Sequence, residues 1–478
     1  MQPLLQLKIE NGIFSKDNKG YFFRGNMYNG KNVIGIVTEF NPFHEGHRYL
    51  VDSIRLRFGD CYVIAAMSGD FVQRGEPAIF DKYERCRDAL RNGVDMVVQI
   101  PEIFSTSSAE DFAAGGVATL RSLGFVDVLL FGSESGDLEA LMKVAELETG
   151  SGSESAKLNS AIRDNVVSGM SYAKARAEAI KLVLSGDDDK AFMHMLDSVS
   201  GDSKVLKEGD GARKPASSEC LKPNDILGVE YIKAVKRQGD CFRIDCIRRN
   251  MEYESAHSIR DAIKSGGIDA MRASYADVDM LSDMLSYRLL ELYYLDQMDP
   301  EQPASFLEYL DVSREIADAL KKQVHDRMTF SERIRNIKSK NYTYTRISRA
   351  LLHILLDIHK KDSLVLRGRF FGEGDLMPYV RILGVRKRAR DMMGSIKTTV
   401  VTSPSKYKKQ LEAVRRRETI ETTEELILSI NASHAEIMFH QDMYAADIYN
   451  QIYRAPADDG EEVGSGNEFT QKFIVMDC

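Results

Sequence analysis

The sequence predicts an α/β protein: a parallel-sheet domain followed by a mostly α-helical domain. Short, continuous apolar runs recur between residues 33 and 248, with helical stretches between them. That alternation is the pattern of βαβ units, in which each strand is buried on both faces. Beyond about residue 270 the apolar residues fall three and four apart instead of in runs, which is helical spacing. The 478 residues, 43% hydrophobic and 28% charged, are enough for about two or three domains with ordinary cores.

Residues 1–32 are polar, Gly- and Asn-rich and without period, and are expected to form a flexible N-terminal extension, with Met27 as an alternative start. Residues 33–38 (VIGIVT) are the first strand, and 62–67, 95–100 and 126–131 repeat its pattern. Helices are expected at about 46–58, 81–92 and 109–123. Residues 154–184 read as helical, and 185–222, rich in Gly, Ser and Asp, as a flexible insertion. A helix from about Asn224, a strand at 242–248 and a helix opening near Ser255 complete a domain spanning 33–270. Segments 276–298, 304–325 and 344–360 are helices of a second domain, 271–455, followed by a tail, 456–478. In a parallel sheet of this kind the ligand belongs at the carboxyl ends of the strands.

Composition narrows the function. No apolar run approaches the ~20 residues of a membrane helix, and the N-terminus lacks a signal peptide's basic head and apolar stretch. Six scattered cysteines form no CxxC pair and no zinc-ligand spacing. Reduced thiols in a cytoplasm are therefore expected. The net charge of -8 argues against nucleic acid, but its distribution argues the other way. From Lys321 to Arg417 there are 25 Lys and Arg against 8 Asp and Glu, a net of +17. A basic segment in an acidic chain is the footprint of a polyanion-binding region or of solvated helix faces.

The sharpest motif is 39-EFNPFHEGHRYL-50, between the first strand and the first helix. Pro42 stiffens the turn and Gly46 admits close backbone approach. His44 and His47, three apart, share a face at a helix start, where phosphate already binds well. Their imidazoles can donate hydrogen bonds to charge developing on a transferring phosphorus. This pattern resembles the HxGH signature of the nucleotidylyl-transferase superfamily, which has a Rossmann-like sheet domain. That superfamily's second motif, SSxxIR, has its counterpart in 255-SAHSIR-260. There Ser255 or Ser258 can cap a helix and Arg260 can hold phosphate oxygens.

Further segments narrow the resemblance. They are 67-MSGDFVQRGEPAIFDKYERCRDAL-90, 131-FGSE-134, 222-KPNDILGVEYIKA-234, 337-IKSKNYTYTRISRALLHILL-356, 378-PYVRILGV-385 and 444-YAADIYN-450. Together with the HxGH motif, in order and over roughly 33–450, they closely resemble the bacterial tRNA(Met) cytidine acetate ligases. The resemblance implies that ATP activates acetate as acetyl-adenylate, releasing pyrophosphate. The acetyl group then passes to the exocyclic amine of the wobble cytidine of elongator tRNA(Met), giving N4-acetylcytidine.

It also implies residue roles. Val37, Thr38, Glu39, Phe40, Asn41, Pro42, Phe43, His44, Glu45, Gly46, His47, Arg48, Tyr49 and Leu50 line the ATP site, with Gly132, Asn224, Arg249 and Ser258 beside them. His44 and His47 meet the phosphate transition state, and Arg260 holds the leaving pyrophosphate; Mg2+ is expected to come with the nucleotide. Ser68, Gly69, Gln73 and Arg74 are candidates for an acetate or acceptor pocket, or plain turn residues. Arg346, Arg349, Arg386, Lys387, Arg388 and Arg390 are candidates for tRNA phosphates. The sequence departs from the family pattern in residues 1–32, in the long acidic insertion, in Gln99 where Glu is usual, and in 250-NMEYES-255. A small-molecule adenylyltransferase would share the two motifs, but not a basic helical domain of this size.

Overall fold

A computed structural model describes residues 27–168, 170, 172–184, 222–265, 274–298, 305–339, 342–415, 423–453 and 467–477. Most of the N-terminal extension, the insertion up to residue 221, and residues 454–466, most of them in the tail, lie outside the described residues.

The first strands and helices alternate. They are β1 (Val33–Thr38), α1 (Glu45–Phe58), β2 (Tyr62–Ser68), α2 (Lys82–Arg91), β5 (Met96–Ile100), α3 (Glu102–Ser105), α4 (Ala109–Arg121) and β6 (Val128–Ser133). A short hairpin, β3 (Phe71–Val72) and β4 (Glu76–Pro77), interrupts the path from β2 to α2. Then come α5 (Leu138–Thr149), α6 (Ser153–Val167), α7 (Tyr172–Leu184), α8 (Pro223–Arg237), β7 (Arg243–Arg248) and α9 (Ala256–Lys264). β1 pairs in parallel with β2 on one side and with β6 on the other. The strand order reverses there, and such a reversal opens a crevice at the carboxyl ends of the two strands.

Period-two alternation explains why each strand is apolar throughout. Ile34, Ile36, Val63, Ala65, Val97 and Leu130 pack in the core formed with α1 and α2. Ile64, Ala66, Val98, Leu129 and Phe131 pack in the other core, with α4 and α8. Fully burying one such side chain stabilises the fold by roughly 1.5–3 kcal/mol.

The rest is mostly helical, with α10 (Ser282–Met298), α11 (Arg314–Gln323), α12 (Phe330–Ile337), α13 (Tyr344–Leu355) and α14 (Lys360–Phe370). The chain then returns to the sheet. β8 (Tyr379–Arg386) lies antiparallel to β5, with Met96 opposite Val385 and Gln99 opposite Arg381. β9 (Thr399–Val401) and β10 (Ile474–Met476) both pair with β8, and α15 (Pro404–Arg415) and α16 (Thr423–Ile452) lie between them in the chain. The sheet thus runs β10-β8-β5-β2-β1-β6-β7, eight strands with β9. Sequence patterning pointed to no strand beyond residue 248; among the described residues there are three.

Among the described residues, a glycine turn and a buried charge cluster help to lock the halves together. The Ser348 hydroxyl donates to the carbonyl of Gly75 at 2.8 Å. Gly75 has φ +80, and a Cβ there would stand 2.4 Å from the Arg349 nitrogen, so this turn needs glycine. Behind it lies a buried charge cluster. The Lys82 ammonium sits 2.9 Å from Asp70 and 2.8 Å from Glu468, and Glu468 also pairs with Arg381. Arg381 donates to the Tyr83 hydroxyl at 2.8 Å, and that hydroxyl donates to Glu468 at 2.8 Å. Such pairing offsets the large desolvation cost of burying these groups.

Candidate active site

A cleft of about 800 Å³ opens at the carboxyl ends of β1, β6 and β7. Its floor is the motif that leaves β1. Phe40 adopts φ +46, a left-handed conformation unusual for an aromatic residue, and is buried against Phe43 and His47. The Asn41–Pro42 bond is cis. Asn41 is buried; its side-chain oxygen accepts the Ile79 N–H at 2.8 Å, and its carbonyl accepts a hydrogen bond from Arg260 at 2.7 Å. Asn41 therefore shapes the floor and anchors the arginine.

His44 is the N-cap of α1. Its Nδ1 accepts the Gly46 N–H at 3.0 Å, and Nδ1 of His47 accepts the His44 N–H at 3.3 Å. The two rings lie 3.9 Å apart. A Cβ on residue 46 would fall 2.8 Å from the His44 ring, which is why glycine separates the two. Burial, with Arg249 and Arg260 adding to it, holds His44 down at about 4. Burial, then His44 and Arg249, holds His47 well below its ordinary value. Both rings are neutral at physiological pH. With Nδ1 an acceptor in each, the proton is on Nε2, the edge left to donate.

Arg249 follows β7, and its N–H donates to the Ser133 carbonyl at 2.8 Å. Its guanidinium stands 3.5 Å from Glu134, whose other oxygen accepts the N–H groups of Asn224 and Asp225, each at 3.1 Å. Glu134 thereby caps α8 and sets Asn224 at the rim. Gly132 lines the cleft, and a Cβ on it would meet Arg249 at 3.5 Å. α9 is capped by Ser255, which accepts the Ser258 N–H at 3.1 Å. Arg260, on the same helix, is half-buried; burial pulls its pKa down, chiefly opposed by Glu39, and a guanidinium so placed stays charged.

Of the residues singled out from sequence, Val37–Asn41, His44, Gly46, His47, Tyr49, Leu50, Gln73, Arg74, Gly132, Asn224, Arg249 and Arg260 line this cleft. Pro42, Phe43, Glu45, Arg48 and Ser258 stand outside its lining: Phe43 packs on the core, and Arg48 faces Glu45 and Asp52 on the surface. Ser68 and Gly69 are buried beneath the floor, the latter against Glu102 and Gln99. The six basic residues divide. Arg346 and Arg349 begin α13, beside the Gly75 turn; Arg346 is exposed over the Tyr342 ring, while Arg349 is buried and paired with Asp311 at 2.7 Å. Arg386, Lys387, Arg388 and Arg390 lie at the amino ends of β2 and β5, across the sheet from the cleft. Arg388 is tied to Asp60 and Asp95 at 3.0 and 3.3 Å, Arg386 to Asp95 at 3.9 Å and Lys387 to Asp477, whereas Arg390 is exposed.

Sequence reasoning gave no role to Glu134, which a carboxylate directly after a strand hints at. It also gave none to Arg85, whose fully buried guanidinium donates to the carbonyls of Glu39, Ser68, Gly69 and Phe80 and so holds the strand ends in place. Phe112 and Lys174, cleft residues from α4 and α7, carried no signal. Among the described residues no three His, Cys, Asp or Glu side chains gather as a metal site. No described helix is long and apolar enough to cross a membrane.

Comparison with known proteins identifies the family. A family model described as HIGH Nucleotidyl Transferase matches residues 31–462. The tRNA(Met) cytidine acetate ligase of Caldanaerobacter subterraneus subsp. tengcongensis is 32% identical over 454 residues, covering 88% of this chain and 96% of that protein. That of Halothermothrix orenii is 31% identical over 445 residues, covering 89% and 96%. The crystal structure of Thermotoga maritima TmcAL bound with alpha-thio ATP superposes with a TM-score of 0.70 at 25% identity, over 94% of this chain and 100% of that one.

Proposed function

The chain belongs to the HIGH nucleotidyl transferases, as a member of the tRNA(Met) cytidine acetate ligases, and from that premise we propose how its residues carry the reaction. The protein is an ATP-dependent acetate ligase acting on a cytidine of tRNA(Met). Acetate attacks the α-phosphate of ATP, pyrophosphate leaves, and the acetyl group of the adenylate passes to the exocyclic amine of the wobble cytidine. The observation that carries this reading is the pair of neutral imidazoles at the N-terminus of α1, facing a cleft that Arg249 and Arg260 also line.

The Nε2–H groups of His44 and His47 donate to oxygens of the phosphorus under attack, and the positive end of α1 adds to them. Arg260, fixed on the Asn41 carbonyl, holds the departing pyrophosphate, and Arg249 neutralises the middle of the triphosphate. Asn224 and Gly132 bound the nucleotide at the β6 edge. The donor set suits Mg2+ only as it arrives with ATP, since this ion is held by phosphates, water and one or two carboxylates. Arg346, Gln73 and Arg74, on the cleft's side of the sheet, and the exposed Arg390 face the tRNA; the paired Arg349, Arg386 and Arg388 hold the fold. The enzyme works in the cytoplasm, where its tRNA is found.

Pyrophosphate exchange tests the whole. Labelled pyrophosphate enters ATP when acetate and Mg2+ are present and hardly at all without acetate. Elongator tRNA(Met) then converts the pool to acetylated tRNA and AMP. Exchange that ignores acetate would return the chain to the small-molecule adenylyltransferases.

A further inference from the structure

Acetyl transfer needs a group to receive the amine's proton, and the phosphate cradle has none: its imidazoles already carry protons on the edge that faces the cleft. Among the described residues three carboxylates line the cleft, Glu39, Glu134 and Glu178. Glu134 is occupied on both oxygens, by two backbone N–H groups of α8 and by Arg249. Glu178 lies on α7, is half-buried and is already paired with Lys181, at 3.7 Å.

Glu39 is placed differently. It ends the path of β1 into the cleft, five residues before His44. Its Oε1 accepts the Gln73 N–H at 2.9 Å, and its own carbonyl accepts the Arg85 guanidinium at 2.6 Å. Side chain and backbone are thus both pinned, and no described group bonds to Oε2. Arg260 and Tyr231, which also line the cleft, are close enough to feel its charge. A carboxylate here repels a triphosphate, so binding ATP does not account for it. The cytosine amine, in contrast, is a poor nucleophile, because its lone pair is delocalised into the ring. Attack on a carbonyl charges the nitrogen until a proton leaves.

We infer that Glu39 is the base of the acetyl-transfer step, its Oε2 accepting an N–H of the incoming cytidine amine. The N–C bond forms as that proton moves to Oε2. The tetrahedral centre collapses, the bond from the acetyl carbon to the phosphate oxygen breaks, and AMP departs with the electron pair. The Glu39 proton then passes to solvent. This assignment rests on the ligase reading above and adds a second chemistry to the strand end that presents the ATP motif.

The test separates the two half-reactions. Enzyme charged with ATP, acetate and Mg2+, then cleared of pyrophosphate with pyrophosphatase, is mixed with elongator tRNA(Met) in a single turnover. Glu39→Gln keeps the Gln73 contact and removes the base. Transfer to tRNA should slow by about 10²–10⁴-fold, and by far more than acetate-dependent pyrophosphate exchange. Transfer near the wild-type rate overturns the assignment. So does a parallel loss of exchange in a variant that keeps the wild-type melting temperature, because Glu39 then serves the nucleotide. Should Glu39→Gln fail to fold, Glu39→Ala, which also removes the carboxylate, is read in the same way. Wild-type exchange that is independent of acetate would sink the ligase reading instead and is scored separately.

Discussion

Nδ1 of His47 accepts the backbone N–H of His44 at 3.3 Å, so the second histidine of the motif caps the residue that the first one occupies. The two histidines do double duty. Each stitches the start of α1 through one ring nitrogen, and in the mechanism proposed above offers the other to the substrate. Serine or aspartate would cap as well, but neither has a second edge.

Structure and catalysis at this position therefore separate by substitution. His44→Ala should lose both the cap, at about 0.5–2 kcal/mol, and a transition-state donor. His44→Asn should keep the cap and the melting temperature, yet lower the exchange rate by about 10²–10³-fold, the usual effect of removing one such donor. Exchange assays beside thermal melts decide the point. Full exchange activity in His44→Asn would reduce the motif to a helix cap.

The same burial sets a pH dependence. His44 is held at about 4, against an ordinary 6.5. Between those values the unfolded chain binds a proton that the folded chain refuses, so stability rises with pH there and is lost as pH falls below about 6.5. His47, lowered further, acts in the same direction. Melting temperatures of wild type should drop more between pH 7 and 5 than those of His44→Asn. The exchange rate of the free enzyme should show no histidine ionisation near pH 6.5.

Glu102 works with the opposite sign. Burial first, then the nearby charges of Asp70 and Asp442, pushes its carboxyl up to about 8 from an ordinary 4.5. The folded chain keeps this proton where the unfolded chain has lost it, so its contribution is complete at low pH and fades as pH rises from 4.5 through 8. Glu102→Gln, which can still accept the Asp70 N–H, should be less destabilised than wild type on going from pH 6 to 8.5. Melts of the two proteins with equal slopes would refute the protonated state.

The basic residues should divide by their partners. Neutralising Arg346 or Arg390 should lower the slope of log tRNA affinity against log salt by about 0.7–0.9 for each lost phosphate contact. Arg388→Ala, which leaves Asp60 and the fully buried Asp95 short of a partner, should lower the melting temperature and leave that slope unchanged. Equal salt slopes in wild type and in the Arg346, Arg390 double variant would remove both from the tRNA interface.

The parallel strands were legible because burial on both faces forces an unbroken apolar run, and the motif because HxGH has few other uses after a first strand. β8 was not. Its apolar residues enclose Arg381, whose charge is neutralised by Glu468, far along the chain, and whose guanidinium also donates to the hydroxyl of a tyrosine on α2. Read locally, 378-PYVRILGVRKRAR-390 is a basic segment, and only tertiary pairing makes it a strand. The same blindness applies to Ser68 and Gly69. Their loop chemistry suggested a pocket wall, and Arg85, which pulls their carbonyls inward, is a charge that local reading leaves in solvent.

The place of β8 has a consequence for how the chain is made. β5 is finished at Ile100, but its outer edge has no partner until Arg386 has been added. At about 5–20 residues per second, that interval is on the order of tens of seconds. Throughout it the nascent protein carries an open row of backbone donors and acceptors beside an apolar surface, a ready template for pairing with another chain. The late strand closes that edge, so a ribosome that stalls in the helical half leaves behind a sheet primed to aggregate.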